Sequence, residues 1–245
     1  MRTVTLEPQR SEILVGSRSV ISHTIASQKR TPHRAPLSHS RPKHPKHPKP
    51  TSGEKPQERK HPILAGNAPE LKCLKSESFI LVEYPSERVI VGRRATLSCE
   101  IASLTKIMTF YTVLQIAAAK GLTLTATVRV SEGAGTVGTS AELREGEEYS
   151  IEQLLYGLML PSGNDAASEL AMWGGAALEG ERGERAVQAF VGEMNRQARA
   201  LGLRHSQFAN PHGLPSQCAR STAADVARLA CRCLRLPLFR RIAAT

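Results

Sequence analysis

Ser103 and Lys106 stand three residues apart at the head of residues 100 to 115, a segment whose apolar side chains recur at helical spacing. On a helix, side chains three residues apart share one face, so this hydroxyl and this amine lie close enough to share a proton. A serine hydroxyl is a weak nucleophile unless a neighbouring base removes its proton. A lysine supplies that base when burial or a helix N-terminus lowers its pKa. The pair predicts a nucleophile beside its base; the alternative is a capping serine followed by a solvated lysine.

A second polar group, Ser162-Gly163-Asn164, follows an amphipathic segment that Pro161 closes. We predict a tight turn between two helices, from which a hydroxyl and a carboxamide project together. In a catalytic site, Ser162 would pass protons to the leaving group, and Asn164 would hydrogen-bond the amide of a substrate. The alternative is a purely structural role, because Ser and Asn are both common as helix caps.

His212 lies in the loop FANPHGL, residues 208–214, and is one of two histidines that follow residue 65. It is a candidate cleft-lining residue that would bind substrate. A loop histidine between Pro211 and Gly213 is more often structural or exposed, and the sequence leaves both interpretations open.

Periodicity and turn residues predict the elements that would position these side chains. Strands are expected in four short segments, of which the first two form a hairpin: 78–84, 89–91, 127–130 and 140–143. Helices are expected from Ser103 to Gly121, over 151–160 with Ser150 as N-cap, over 184–202, and after Ser221-Thr222. A lone hairpin is marginally stable in water, so we expect a larger sheet on which the Ser103 helix packs.

The first 65 residues differ in composition from the rest of the chain. They contain 13 Lys/Arg and 4 Asp/Glu, and so carry nine of the eleven net positive charges. They include RPKHPKHPKP, residues 41–50, a proline-rich run that cannot form a packed core. We therefore expect a disordered basic tail over 1–65 and a folded domain over 66–245. Because that domain is nearly neutral, no specific nucleic-acid partner is expected.

Several functional classes find no support in the sequence. No segment is long and apolar enough for a transmembrane helix, and the N-terminus has no apolar core of signal-peptide length, so the cellular compartment stays open. The five cysteines are odd in number, irregularly spaced and without a Cys-x-x-Cys pair. Neither a zinc site nor a full disulfide framework is therefore expected.

Three motifs follow one another along the chain: Ser103-x-x-Lys106, Ser162-Gly163-Asn164, and the 208–214 loop with His212. Together with the phrases ASLTKIMT and LLYGLMLPSGNDAA, they strongly resemble the D-alanyl-D-alanine carboxypeptidases, the low-molecular-mass penicillin-binding proteins. The likeness covers about residues 76 to 245, and the combination is far more specific than any one motif.

This resemblance implies an activity, partners and a fold. Ser103 would attack the carbonyl between the last two D-alanines of a peptidoglycan stem peptide, with Lys106 as general base, and water would hydrolyse the acyl-enzyme. It also implies an oxyanion hole that includes the Ser103 N–H, β-lactams as acylating inhibitors, and no metal or organic cofactor. The implied fold is α/β (α+β), of the β-lactamase/transpeptidase type: an antiparallel sheet packed by helices, with a mainly helical lobe that carries Ser162 and the 184–202 helix.

One family motif is missing from these 245 residues, because no Lys-Thr-Gly occurs. In the family, that motif lies on a strand beside the nucleophile and supplies the cation for the substrate carboxylate. We therefore expect a domain that lacks its C-terminal part and has an incomplete sheet, as a fragment or as a decayed relative. The rival hypotheses are a catalytically silent ligand-binding relative and another penicillin-recognising serine hydrolase, such as an esterase or a β-lactamase.

Overall fold

The main sheet has a central strand that pairs with an antiparallel neighbour on each side. The computed structural model describes residues 11–16, 74–131, 137–180 and 182–245. The strand order is β1 (Ser11–Gly16), β2 (Phe79–Tyr84) and β3 (Arg88–Arg93). β2 is rich in β-branched and aromatic residues, and its Phe79, Ile80 and Val82 side chains are buried. The predicted hairpin of β2 and β3 is confirmed, and it belongs to a larger sheet.

β1 lies within residues 1–65, where composition predicts a disordered tail. Its backbone pairs with β2 along the whole strand, from Ser11 opposite Tyr84 to Gly16 opposite Phe79. The run Ile-Leu-Val favours an extended conformation, and the edge of β2 supplies the hydrogen-bonding partners that an extended backbone needs. At residues 11–16 the structure thus has a paired strand. Residues 1–10 and 17–73 lie outside the described part of the chain, so the boundary near residue 65 stays a prediction.

The rest of the described chain is mainly helical. Its helices are α1 (Thr105–Lys120), α2 (Ile151–Met159), α3 (Asn164–Glu179), α4 (Glu184–Ala200), α5 (Ala223–Leu234) and α6 (Pro237–Ala243). A small second sheet pairs β4 (Thr127–Arg129) with β5 (Glu148–Ser150) antiparallel. Within the described ranges, no helix combines the length and the apolarity that a membrane crossing needs.

Local signals place the ends of the predicted helices correctly. Gly121 adopts the left-handed conformation at the C-terminus of α1. Ser150 forms a capping box with Gln153 at the start of α2, and Thr222 caps α5 by accepting the N–H of Asp225. The predictions of α1, α2, α4 and α5 are confirmed, except that Ser103 lies in a 3-10 turn before α1 begins at Thr105 and that α4 ends at Ala200.

The strand predicted at 140–143 is wrong. This segment is a loop whose polar groups converge on one carboxylate, that of Asp165 in the first turn of α3. The Ser140 hydroxyl donates at 2.6 Å, and the N–H groups of Ala141 and Leu143 donate at 2.8 and 3.2 Å. Because these N–H groups bind a side chain, they are not available for a strand ladder.

α1 lies at the centre of the fold and contacts α2, α3, α4 and α5. Its side chains Met108, Val113 and Ile116 are at most 1% exposed. Phe110 meets Phe239 of α6 edge to face, with ring centroids 5.1 Å apart. Packing along most of its length therefore fixes the first turn of α1, which carries Lys106.

α3 and α4 approach each other closely because two glycines of α3 face α4. A Cβ at Gly175 would lie 1.8 Å from the carbonyl oxygen of Ala186, and one at Gly174 would lie 2.7 Å from the ring of Phe190. Only glycine leaves room for a main chain at this distance. Since α3 begins at Asn164, this contact also helps to fix the second polar motif.

We expect Gly175→Ala to destabilise the protein by about 1 to 3 kcal/mol or more, the usual cost of overpacking, because its methyl group overlaps the main chain of α4. The matched control is Gly192→Ala in α4, where a Cβ meets nothing within 4 Å. That change should stabilise the protein by about 0.5 to 1 kcal/mol through helix propensity. Urea unfolding followed by circular dichroism measures both, and equal free energies of unfolding for the two variants would contradict the close packing.

Candidate active site

The amine of Lys106 lies at the centre of the candidate site. The residue sits in the first turn of α1 and is only 2% exposed. Its Nζ lies 3.2 Å from Oγ of Ser103, 2.7 Å from Oδ1 of Asn164 and 2.9 Å from the carbonyl oxygen of His212. The structure thus brings the three sequence motifs together around one nitrogen atom.

The three partners of Nζ differ in the hydrogen bonds that they can form. The oxygens of Asn164 and His212 are carbonyl acceptors, whereas the hydroxyl of Ser103 can also donate. A neutral amine has two N–H donors and one lone pair. When the two N–H groups bond to the two carbonyls, the lone pair remains to accept the proton of Ser103. The arrangement therefore favours a lysine that acts as a base towards Ser103.

The proton affinity of Lys106 fits this role. Burial lowers the pKa of Lys106 from 10.5 to about 8, and the nearby Asp165 carboxylate offsets part of that shift by favouring the charged form. The positive end of the α1 dipole also disfavours a charge in the first turn. With a pKa near 8, about a tenth of the amine is neutral at pH 7, against fewer than about one in a thousand for an exposed lysine.

Asn164 is buried at the start of α3, and both ends of its carboxamide are engaged. Its Nδ2 donates to the carbonyl oxygen of Val137 at 2.7 Å, while Oδ1 accepts from Lys106. Its backbone N–H donates to the carbonyl oxygen of Thr139 at 2.8 Å. These bonds turn the carboxamide oxygen towards Lys106 and leave one N–H of Nδ2 for another acceptor.

His212 contacts Lys106 through its backbone carbonyl, although the sequence analysis considers only its side chain. The ring is half-buried, and its Nδ1 accepts the N–H of Leu214 at 3.2 Å, which leaves the proton on Nε2. Burial, and then the neighbouring Lys106, lower the pKa of the His212 ring below 6.5. The imidazole is therefore neutral at pH 7 and has one N–H donor, which is unpaired among the described residues.

Ser162 precedes α3 by two residues and has a left-handed backbone conformation, with a φ of 61°. Its carbonyl oxygen accepts a hydrogen bond from Oγ1 of Thr139 at 2.5 Å. Its hydroxyl has no hydrogen-bond partner within the described ranges, so the structure does not join it directly to Ser103 or Lys106. Non-glycine residues in this conformation are strained, and such residues cluster at functional sites.

The backbone beside Ser103 is shaped by the close approach of the 208–214 loop. A Cβ at Gly213, whose φ is 87°, would lie 2.0 Å from the carbonyl oxygen of Ala102, so only glycine fits there. Ser103 follows Ala102 in a 3-10 turn that leads into α1. The Ser103 side chain is exposed, and its N–H has no partner in the part of the chain that the structure describes. This N–H can therefore bind an oxyanion formed by attack of the hydroxyl.

Asp165 is a candidate functional residue that the sequence analysis missed. Its carboxylate is buried and holds the 140–143 loop. Burial alone would raise the pKa of Asp165, but the hydrogen bonds from that loop and from the Ala166 N–H lower it below 3.8. Asp165 is therefore ionised at neutral pH and acts on Lys106 through its charge. The signal that could have identified it is an acidic residue directly after Asn164.

The other reactive side chains give no competing site. Within the described ranges, no group of three or more His, Cys, Asp or Glu side chains could hold a metal ion. Cys231 and Cys233 are buried thiols in α5, and burial raises the pKa of both. They are therefore poor nucleophiles at neutral pH.

We expect Lys106 to make stability depend on pH between about 8 and 10.5, its pKa values in the folded and unfolded protein. The unfolded chain binds more protons in this window, so the contribution of Lys106 to the free energy of unfolding rises with pH, by about 3 kcal/mol in total. Urea unfolding of the wild type and of Lys106→Met at pH 7 and pH 10.5 measures this, because the other groups titrate in both proteins. A stability difference between them that stays constant with pH would refute a perturbed lysine.

Known proteins show the same combination of sequence and fold. Residues 65–245 match the D-alanyl-D-alanine carboxypeptidase family. The D-alanyl-D-alanine carboxypeptidase DacC of Escherichia coli is 34% identical over 167 residues, which cover 65% of this chain and 40% of the relative. DacF of Bacillus subtilis, which has the same enzyme name, is 32% identical over 157 residues, covering 64% of this chain and 38% of the relative. The chain thus spans about two fifths of the length of these curated relatives.

Solved structures extend the likeness to three dimensions. The D-alanyl-D-alanine carboxypeptidase DacD of Francisella tularensis matches with a TM-score of 0.61 and 31% identity, covering 69% of this chain and 38% of that one. A Streptomyces DD-transpeptidase matches with a TM-score of 0.57 and 31% identity, covering 64% of this chain and 60% of that one. These likenesses confirm the predicted transpeptidase-like fold class, in which helices pack on antiparallel sheets.

Proposed function

The chain belongs to the D-alanyl-D-alanine carboxypeptidase family, and on that premise we propose that it is a serine-type hydrolase of peptides that end in D-Ala-D-Ala. The observation that carries the proposal is the buried Lys106 amine, 3.2 Å from the Ser103 hydroxyl and otherwise bonded, among the described residues, to two carbonyl oxygens. A Ser-x-x-Lys pair on the surface of a helix has neither this burial nor these two partners.

The proposed reaction has two steps that share one nucleophile. Oγ of Ser103 attacks the carbonyl carbon of the bond between the two D-alanines, while Nζ of Lys106 takes the hydroxyl proton. The oxyanion of the tetrahedral intermediate accepts the N–H of Ser103. The proton then passes to the leaving nitrogen, D-alanine departs, and an ester to Ser103 remains. In the second step water hydrolyses this ester and restores the free hydroxyl.

The other residues of the site have supporting roles in this proposal. Asn164 holds Lys106 through Oδ1 and has one N–H left for the substrate. Ser162, whose hydroxyl is unengaged within the described ranges, passes the proton from Lys106 to the leaving nitrogen. His212 lines the cleft with the N–H of its neutral ring. The mechanism uses no metal ion and no organic cofactor.

Acylation and turnover make different demands on the chain. Acylation depends on Ser103 and Lys106, which this sequence contains. Recognition of a peptide carboxylate also uses a cation, which the family supplies from a Lys-Thr-Gly motif that does not occur in these 245 residues. Since the chain spans 38% of the length of DacF and 40% of that of DacC, acylation and peptide turnover are best measured separately.

We expect benzylpenicillin to add one intact acyl group to the wild type and none to Ser103→Ala, because the opened ring remains as an ester on the nucleophile. Lys106→Met should lower the rate of adduct formation by about a hundredfold or more, the usual contribution of a general base. Intact-protein mass spectrometry over time measures both rates. Cys218→Ser controls for reaction at the exposed thiol and should leave the adduct unchanged. An adduct that persists in Ser103→Ala would refute the nucleophile assignment.

The same preparation distinguishes a carboxypeptidase from other acyl-transfer enzymes. A tripeptide ending in D-Ala-D-Ala should release its terminal D-alanine, whereas its isomer ending in L-Ala-L-Ala should release no L-alanine. Release from neither peptide by a protein that penicillin acylates would show a functional nucleophile without the proposed peptide specificity.

We expect the rate of acylation by benzylpenicillin to rise with pH and to level off above a midpoint near 8, the pKa of Lys106. The sign follows from the role of the amine, which accepts a proton only when it is neutral and so becomes active as pH increases through its pKa. Mass spectrometry of samples quenched between pH 5.5 and 9.5 gives the profile. A rate that falls over this range would mean that the protonated amine is the active form.

A further inference from the structure

α1 presents two hydrogen-bond donors to the 208–214 loop, and Lys106 is only one of them. Thr109 lies three residues later on the same face and is also fully buried. Its Oγ1 donates to the carbonyl oxygen of Pro211 at 2.6 Å, while Nζ of Lys106 donates to the next carbonyl, that of His212, at 2.9 Å. Two side chains that lie about one turn apart on the same face of α1 thus bind two consecutive carbonyl oxygens of the loop.

The loop is braced within itself and at its start. Phe208 bonds through both its N–H and its carbonyl to the side-chain amide of Asn195 in α4, at 2.9 and 2.8 Å. Asn210 accepts the N–H of Gly213 at 2.7 Å and donates to the carbonyl of Leu214 at 2.9 Å. These bonds make the loop one braced unit.

The position of this unit on α1 matters to Lys106. The His212 carbonyl must take one N–H of the amine if the lone pair is to face Ser103. The Lys106 contact exists in both protonation states of Nζ, but it weakens when the ammonium becomes a neutral amine, because a charge-assisted hydrogen bond is the stronger one. The Thr109 hydroxyl does not titrate, and so it binds the neighbouring carbonyl at every stage.

From these contacts we propose that Thr109 is a positioning residue for the base. Its hydroxyl fixes the Pro211 carbonyl, and through the next peptide it keeps the His212 carbonyl on the Lys106 amine, so that the amine faces Ser103. The inference rests on the proposed acyl-transfer function of Ser103 and Lys106. Thr109 acts on that pair through the loop, because its hydroxyl bonds to the Pro211 carbonyl.

The chain supplies a matched control in Thr112, three residues further along α1. Thr112 is equally buried, but its hydroxyl has no hydrogen-bond partner among the described residues. Thr112→Val therefore makes the same chemical change in the same helix without removing a contact to the loop. Thr109→Val removes the hydroxyl and leaves the Pro211 carbonyl without its donor, whereas Thr109→Ser keeps the donor.

The test is the pH profile of acylation by benzylpenicillin for wild type, Thr109→Val, Thr109→Ser and Thr112→Val, with urea unfolding to establish that each variant is folded. We expect Thr109→Val to acylate about ten- to a hundredfold more slowly, the scale of a misplaced catalytic group. Its midpoint should move upward from about 8 towards 10.5, because a displaced loop admits water to Nζ. Thr109→Ser should recover most of the rate, and Thr112→Val should match the wild type. A profile of folded Thr109→Val that overlays the wild type, or an equal loss in Thr112→Val, would overturn the proposal.

A second readout separates this inference from the proposed function. Carbon-13 NMR of proteins labelled at lysine Cε gives the pKa of Lys106 without any substrate, the signal being identified by its absence in Lys106→Met. The pKa should rise in Thr109→Val and stay unchanged in Thr112→Val. If the wild type takes no penicillin, the proposed function fails, and this titration still decides the positioning role: an unchanged pKa in Thr109→Val refutes it.

Discussion

The site depends on keeping a lysine amine inside the protein. An ammonium group is strongly hydrated, and its transfer to an apolar interior is unfavourable unless its N–H groups find partners there. Desolvation of Lys106 shifts its proton equilibrium towards the amine, and two carbonyl oxygens take its N–H groups. The packing around Lys106 excludes water from Nζ. Hydrogen bonds to Asn164 and to the 208–214 loop hold the two carbonyls in place.

Three separate parts of the chain supply this environment, and each is anchored away from the amine. α1 is fixed by its packing in the core. The start of α3 is fixed by Asp165, which binds the 140–143 loop. The 208–214 loop is fixed by Asn195 and by the contact of Gly213 with Ala102. Since each anchor is formed before substrate arrives, little reorganisation is needed at the moment of reaction.

Sequence reasoning succeeded where local forces decide the structure. The approach of Ser103 to Lys106 across the 3-10 turn and the first turn of α1, the left-handed Gly121 and the capping Ser150 all depend on residues close in the chain. Residue type also singles out Ser162, Asn164 and His212 as candidates, and their roles stay predictions, but residue type does not show which atom makes a contact. The backbone oxygen of His212, rather than its ring, touches Lys106.

Sequence reasoning failed where partners distant in the chain decide the structure. The 140–143 segment is predicted as a short strand, yet its N–H groups bind a carboxylate that lies more than twenty residues later in the chain. β1 forms a strand because it pairs with the edge of β2, and no residue near β1 in the sequence indicates that partner. Asp165 is prominent only once the loop that it binds is seen around it.

The chain separations at the amine link chemical reactivity to the order of folding. Lys106 meets Asn164 across 58 residues of chain and His212 across 106. Contacts of such range close large loops, and they form late because the entropy of loop closure must be overcome first. A molecule that has formed only α1 therefore has an ordinary alcohol beside a hydrated ammonium group. The activated serine therefore exists only where the long-range contacts of Lys106 have formed, and copies that fail to complete the fold lack it.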